Sequence, residues 1–219
     1  MLLKYLYDEQ LAQASYVIGC PETRQALVID PSRDIESYLQ AVEAHNLTLV
    51  AVLETHIHAD FVSGVRELAW ATGAKIYLSR EGGSEWQYAY PDEVILVREG
   101  DKITIGRVQL DVLHTPGHTP EHIAFLVTDL VASQEPFALV SGDCLFVGDV
   151  GRPLQRVADV DRGRGAAVGA APRQFVDPLG GWILIAVRVQ AAAVHADVEA
   201  VVLGLVDRIA DAEAAARPS

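Results

Sequence analysis

The sequence is poor in cysteine, in positive charge and in long apolar runs. Only two cysteines occur, Cys20 and Cys144, each in an apolar, strand-like setting. Two isolated thiols outside any Cys-x-x-Cys spacing do not make a disulfide framework, and a reduced, buried structural thiol is the expectation for both. Lysine and arginine number 17 against 30 aspartates and glutamates, a formal net charge of −13. Such a surface repels phosphate backbones and anionic lipid, so neither nucleic acid nor a membrane is an expected partner. The longest apolar stretches, such as Trp182 to Val187, are far too short to cross a bilayer. The opening MLLKYLYDEQ places acidic residues where a signal peptide would continue its apolar core. No export signal is therefore read, and a cytoplasmic location is expected.

Apolar material is abundant. Half of the 219 residues are hydrophobic, enough for one sizeable core. Over roughly the first 150 residues strand-like and helix-like segments alternate. Leu2 to Tyr7, Ala14 to Gly19, Ala26 to Asp30 and Leu47 to Leu53 read as strands. So do Lys75 to Ser79, Glu93 to Val97, Lys102 to Ile105, Val108 to Leu113, Ile123 to Val127 and Phe137 to Val140. Asp34 to Ala44 has helical spacing with Ser32 as its N-cap, and Phe61 to Thr72 is helical up to Gly73. Strands in excess with few helices between them predict an α/β layered domain with mixed sheets. Polar side chains gather after Leu53, after Leu113 and after Val140, at strand ends where a rigid scaffold presents ligands.

Three of these strand ends carry chemistry. Thr55-His56-Ile57-His58-Ala59-Asp60-Phe61 is a His-x-His-x-Asp cluster between a strand and a helix. Alternate residues of an extended loop project to one side, so His56 and His58 can both approach one ion. In His114-Thr-Pro-Gly-His118-Thr-Pro, proline and glycine build a tight turn that presents His118. Leu139-Val-Ser-Gly-Asp143 puts an acid at the end of an apolar strand. Each alone is weak, since histidine pairs arise by chance and Gly-Asp after a strand is commonly a turn. Together they place four of the seven histidines and a carboxylate in three short segments. Neutral imidazoles with one carboxylate suit zinc or iron and leave positions open for substrate.

The order THxHxD, TPGHT, SGD resembles the metallo-beta-lactamase superfamily. ETHIHADFVSG, HTPGHTPEH and SGDCLFVGDVGRP are similar to the branch that contains persulfide dioxygenases, some fused to rhodanese domains, and that is related to the glyoxalase II thioesterases. The resemblance covers residues 1 to about 153. It implies an αββα sandwich with a metal at one edge between the sheets, and a single Fe(II) held by His56, His118 and Asp143, with Zn(II) as the alternative ion. It also implies that His58 is a ligand in dinuclear hydrolases and a neighbour in mono-iron enzymes. Dinuclear hydrolases carry a ligating His directly after the Asp, where this chain has Phe61. Phenylalanine cannot ligate, which favours one metal per chain and gives Asp60 the role of orienting a ligand or bound water. Arg152 matches an arginine that meets a carboxylate of the thiol substrate in glutathione-using members, though a surface arginine at a turn is an equal alternative. Asp30 resembles an acid that braces the metal loop, with a turn residue preceding a helix as an equal alternative. His114 and His122 are read as structural hydrogen-bonding residues, and His45 and His195 lack companions at metal-binding spacing. Cys144 should face away from the site if its strand continues, and is not read as a nucleophile.

Beyond Pro153 the character changes. The last 66 residues hold 16 Ala and 11 Val and no Lys, Asn, Thr, Tyr, Met or Cys. Residues 1–153 are thus read as the metal-binding core, and 154–219 as an atypical C-terminal third, either a divergent terminus or a GC-rich gene read in a shifted frame. Within it Arg162 to Gly181 reads as loop, Trp182 to Val189 as a strand and Asp197 to Ala216 as an amphipathic helix. Three functional readings follow. The first is a mono-iron dioxygenase acting on a small persulfide, such as glutathione persulfide, with dioxygen. The second is a glyoxalase II-type hydroxyacylglutathione hydrolase, and the third an inactive metal-binding remnant with an altered C-terminus. A homodimer is one assembly the sequence leaves open.

Overall fold

A computed structural model describes residues 1–90, 93–146 and 149–150. The reading of 154–219, with its loop, strand and helix, lies outside the described residues, as does Arg152.

Six strands form the first sheet in chain order: β1 (Leu2–Asp8), β2 (Gln13–Cys20), β3 (Gln25–Ile29), β4 (Thr48–Leu53), β5 (Lys75–Ser79) and β6 (Val94–Val97). The β1–β2 and β2–β3 pairs are antiparallel, and from β3 to β6 the pairing is parallel. Helices α1 (Glu36–Ala44) and α2 (Val65–Thr72) supply crossovers of that parallel part. The second sheet is antiparallel, ordered β10 (Ala138–Val140), β9 (Ile123–Asp129), β8 (Val108–His114) and β7 (Lys102–Ile105). A two-stranded ribbon, β11 (Leu145–Phe146) with β12 (Asp149–Val150), follows.

Side-chain alternation explains the layering. On β3, Leu27 and Ile29 join the cluster between the two sheets with Ile18, Leu53, Leu110, Ile123 and Phe125. Its alternate residues Ala26 and Val28 join a second cluster, with Tyr38, Val42, Val65 and Leu68 of the two helices. A strand buried on both faces must read as a continuous apolar run, as Ala26-Leu-Val-Ile29 does. Among the described residues the layers are therefore helix, sheet, sheet, as in a metallo-beta-lactamase α/β sandwich, and no helix is long and apolar enough to cross a membrane.

The strands match the expected ones to within a residue or two, whereas both helix starts differ. Ser32 does not cap α1: the N-cap position is Ile35, without a side-chain cap bond. Ser32 is instead engaged by the Tyr38 hydroxyl, which accepts its N–H at 2.8 Å and donates to its Oγ at 3.2 Å. Helix α2 begins at Val65 rather than Phe61 because residues 63–64 are pinned to the end of β3. Ser63 bridges to Ser32, and the Gly64 N–H donates to the Pro31 carbonyl at 2.8 Å. A Cβ on Gly64 would fall 2.1 Å from the Ser32 oxygen, so only glycine permits this approach. The other end of α2 is as expected, with Gly73 left-handed at φ 73°.

Candidate metal centre

The parallel pairing of β3 with β4 sets Ile29 beside Leu53, so the residues after both strands emerge together at one edge. There Asp30 is buried and accepts two hydrogen bonds from Thr55, from its N–H at 2.7 Å and from its hydroxyl at 2.7 Å. With its proton given to Asp30, the Thr55 oxygen accepts from His56 Nδ1 at 2.9 Å. That assignment leaves the His56 Nε2 lone pair free to ligate. On the facing sheet, His114 of β8 pairs with Ile123 of β9, and the intervening turn carries His118. The Ile123 N–H donates to the Thr55 carbonyl at 2.8 Å and ties the two sheets together beside the site. After β10 the chain turns through a short 3-10 segment, Gly142–Cys144, that presents Asp143.

These ends converge. Ligand atoms of His56, His118 and Asp143 all lie within 4.8 Å of one another. His118 Nε2 is 3.7 Å from Asp143 Oδ2, and the His56 and His118 rings are 4.8 Å apart, edge to face. Burial, reinforced by the charge of His58, pushes His56 down to about 2, so it stands neutral with its lone pair available. Burial raises the Asp143 carboxyl, with Asp60 and Asp30 acting in the same direction and His118 and His58 opposing. A neutral buried imidazole, a second imidazole and a carboxylate raised chiefly by burial form a donor set that a divalent cation would complete.

His58 does not join this group. Its Nε2 lies 3.2 Å from Asp30 Oδ1 and 3.0 Å from Glu54 Oε2, in a second cluster of three titratable groups. Burial alone would lower His58, but the two carboxylates outweigh it and hold the imidazole well above its usual value. Burial likewise raises Asp30, and the imidazolium with the Thr55 N–H reverses this to a net lowering. Glu54 is pushed up to about 7, by burial first, with His58 opposing and Asp30 adding to the rise. The Phe61 ring packs against His58 at a tilt of 36°, with centroids 4.3 Å apart, and sets beside the ion pair a group that cannot ligate.

The remaining sequence candidates fall as follows. Asp60 is exposed and makes no hydrogen bond or ion pair among the described residues. His114 Nε2 contacts the Pro120 carbonyl at 2.9 Å, and His122 Nδ1 the Thr115 hydroxyl at 2.8 Å, both structural contacts. His122 is also stacked on His56 at 4.9 Å and driven down to about 3 by burial. His45 is exposed at the end of α1. Cys144 sits in the 3-10 turn and not in a continuing strand, and burial pushes its thiol up to about 11 against the opposing hydrogen bond with Thr115. Sequence reasoning missed Glu54 and Glu121. Both signals were visible: an acid four residues before His58 at a strand end, and an acid inside HTPGHTPEH.

A family model for the metallo-beta-lactamase superfamily matches residues 9–174. The chain belongs to this superfamily. It is similar to a metallo-beta-lactamase from Staphylococcus aureus subsp. aureus COL, with 49% identity and a TM-score of 0.68, covering 70% of this chain and 46% of that one. It is also similar to ETHE1 from Myxococcus xanthus, with 33% identity and a TM-score of 0.60, covering 69% and 61% of the two chains. Hydroxyacylglutathione hydrolases from Synechococcus sp. and Polaromonas sp. are 36% and 39% identical over 60% and 63% of the chain. The matched part spans about half of each of these hydrolases, 49% of their length.

Proposed function

We propose that the chain is a mono-iron persulfide dioxygenase, which oxidises a low-molecular-weight persulfide such as glutathione persulfide and operates in the cytoplasm. The observation that carries this reading is the fate of the second His in His-x-His. Its Nε2 is committed to Asp30 and Glu54, and Phe61 stands where a further ligand would be needed, so one ion is favoured over two. The likeness to ETHE1, and the motif similarity to persulfide dioxygenases, support the same assignment.

His56, His118 and Asp143 would hold the ion. Bound there, iron supplies the redox chemistry between persulfide and dioxygen that side chains do not offer. The protein's own part is to keep His56 neutral through burial and to fix its tautomer through Thr55 and Asp30. Asp143 completes the set with a negative charge. Arg152 is proposed to bind a carboxylate of the thiol carrier. Overall, one dioxygen and one water are consumed per persulfide, and the thiol, sulfite and two protons are released.

The hydrolase relatives favour a second reading, hydrolysis of a hydroxyacylglutathione thioester, with Zn(II) as the alternative ion. The test is to load the chain with Fe(II) or Zn(II) and follow oxygen uptake with sulfite release on glutathione persulfide, and thioester loss on a hydroxyacylglutathione. Iron-dependent oxygen uptake without thioester cleavage is expected. Thioester cleavage without oxygen uptake would establish the second reading, and one bound metal with neither activity would identify a remnant.

A further inference from the structure

The loop with His56 and the turn with His118 belong to different sheets, and one carboxylate joins them. Glu121 is 0% exposed. Its Oε1 accepts the Ile57 N–H at 2.8 Å and the Thr119 hydroxyl at 2.9 Å. Ile57 lies between His56 and His58, and Thr119 directly follows His118. A single oxygen atom thus fixes the backbone beside one ligand to the side chain beside the other.

We propose that Glu121 is a positioning residue of the metal centre, setting how closely His56 and His118 approach a shared ion. Its cost argues for a specific task. Burying a carboxylate is expensive unless it is paired, yet the two groups it binds are a neutral amide and a neutral hydroxyl. The chain packs closely around it. Gly82, at φ +86°, lies so close that a Cβ there would sit 2.8 Å from the Glu121 Cβ and 3.0 Å from its backbone nitrogen. The sheets do not need this link to stay together, since the Ile123 N–H already bonds the Thr55 carbonyl and both sheets share the core around Leu53 and Phe125. Without Glu121, the two histidines would keep their strands and lose their register with each other. In a site of three ligands that register sets the affinity.

The inference rests on the three-ligand site and holds for oxygenase and hydrolase alike, so its test reads metal binding and no turnover. Co(II) is titrated into the metal-free full chain, with affinity and the visible ligand-field spectrum recorded and the fold followed by circular dichroism. Glu121→Ala is expected to lose about 10- to 100-fold in Co(II) affinity, with an altered spectrum and an unchanged fold. Glu121→Gln, which keeps an acceptor oxygen, is expected to recover most of that loss. Thr119→Val removes one of the two bonds and is expected to lose less than Glu121→Ala. Affinity and spectrum unchanged in Glu121→Ala would overturn the proposal, as would a Glu121→Gln variant as weak as the alanine one. Should Glu121→Ala fail to fold, wild-type affinity in Thr119→Val overturns it equally.

Discussion

His56 and His58 stand two residues apart on one loop, yet their surroundings are opposite. His56 sits among imidazoles, 4.8 Å from the His118 ring and 4.9 Å from that of His122, and is neutral. His58 sits between two buried carboxylates and is charged. Their rings are in contact, with centroids 4.2 Å apart, but their ring nitrogens meet different neighbours, and those neighbours decide whether an imidazole is a ligand or a counter-ion. The same motif therefore serves a metal centre and an internal ion pair. On the one-metal reading proposed above, the ion pair takes the place of a second ion on the His58 side, with Phe61 packed against it.

Breaking the metal side should give the largest effect. His56→Ala, His118→Ala or Asp143→Ala is each expected to abolish stoichiometric metal binding, read by elemental analysis after desalting, because three ligands leave no redundancy. Full occupancy in any one variant would remove that residue from the site. Breaking the other side should act on stability. His58→Ala leaves Asp30 and Glu54 buried without their cation, a loss of about 3 kcal/mol in urea unfolding of the metal-free protein. A loss of metal with no loss of stability would instead make His58 a ligand.

The two sides should also answer pH in opposite directions. His56 and His122 have folded values of about 2 and 3 against 6.5, so below pH 6.5 the unfolded chain takes up protons they refuse. Metal-free stability is then lost as pH falls, by about 1.4 kcal/mol per pH unit for each group. His58 is raised, so its contribution is complete below 6.5 and is lost as pH climbs through its folded value. Glu54, raised from 4.5 to about 7, likewise loses stability as pH rises between those values. Urea midpoints of the metal-free protein should therefore fall off on both sides of a maximum near neutral pH. His122→Gln should flatten the acid side and His58→Gln the alkaline side; identical profiles in both variants would mean that the two clusters are not distinct.

The strands were legible because they depend on local signals: period-two burial and apolar runs that end in polar residues. Histidine spacing and an acid at a strand end marked the three segments that supply the ligand group, whereas the choice of His56, His118 and Asp143 over His58 came from the family resemblance. The bracing role of Asp30 came from the resemblance alone, since an acid at a strand end reads equally well as a turn residue. The start of α2 was not legible, because it is set by Gly64 lying against Ser32, a contact between loops 32 residues apart in number that no periodicity reports. Nor was the commitment of His58, since spacing places both histidines near an ion and only the parallel pairing of β3 with β4 brings Asp30 and Glu54 to one of them. The role of Glu121 depends on the meeting of two sheets, for the same reason.

The account stands on a single ion held on the His56 side of the loop, and metal stoichiometry tests that most directly. Metal-free protein would be equilibrated with excess Fe(II) without oxygen, or with Zn(II), then desalted and assayed for metal and protein, beside Phe61→His. About one ion per chain is expected for the wild type, and more than one for Phe61→His, where a ligating ring replaces the phenyl group that packs against His58. Two tightly held ions in the wild-type chain would contradict the account, since a second ion among Asp30, Glu54 and His58 would replace the ion pair described for that cluster.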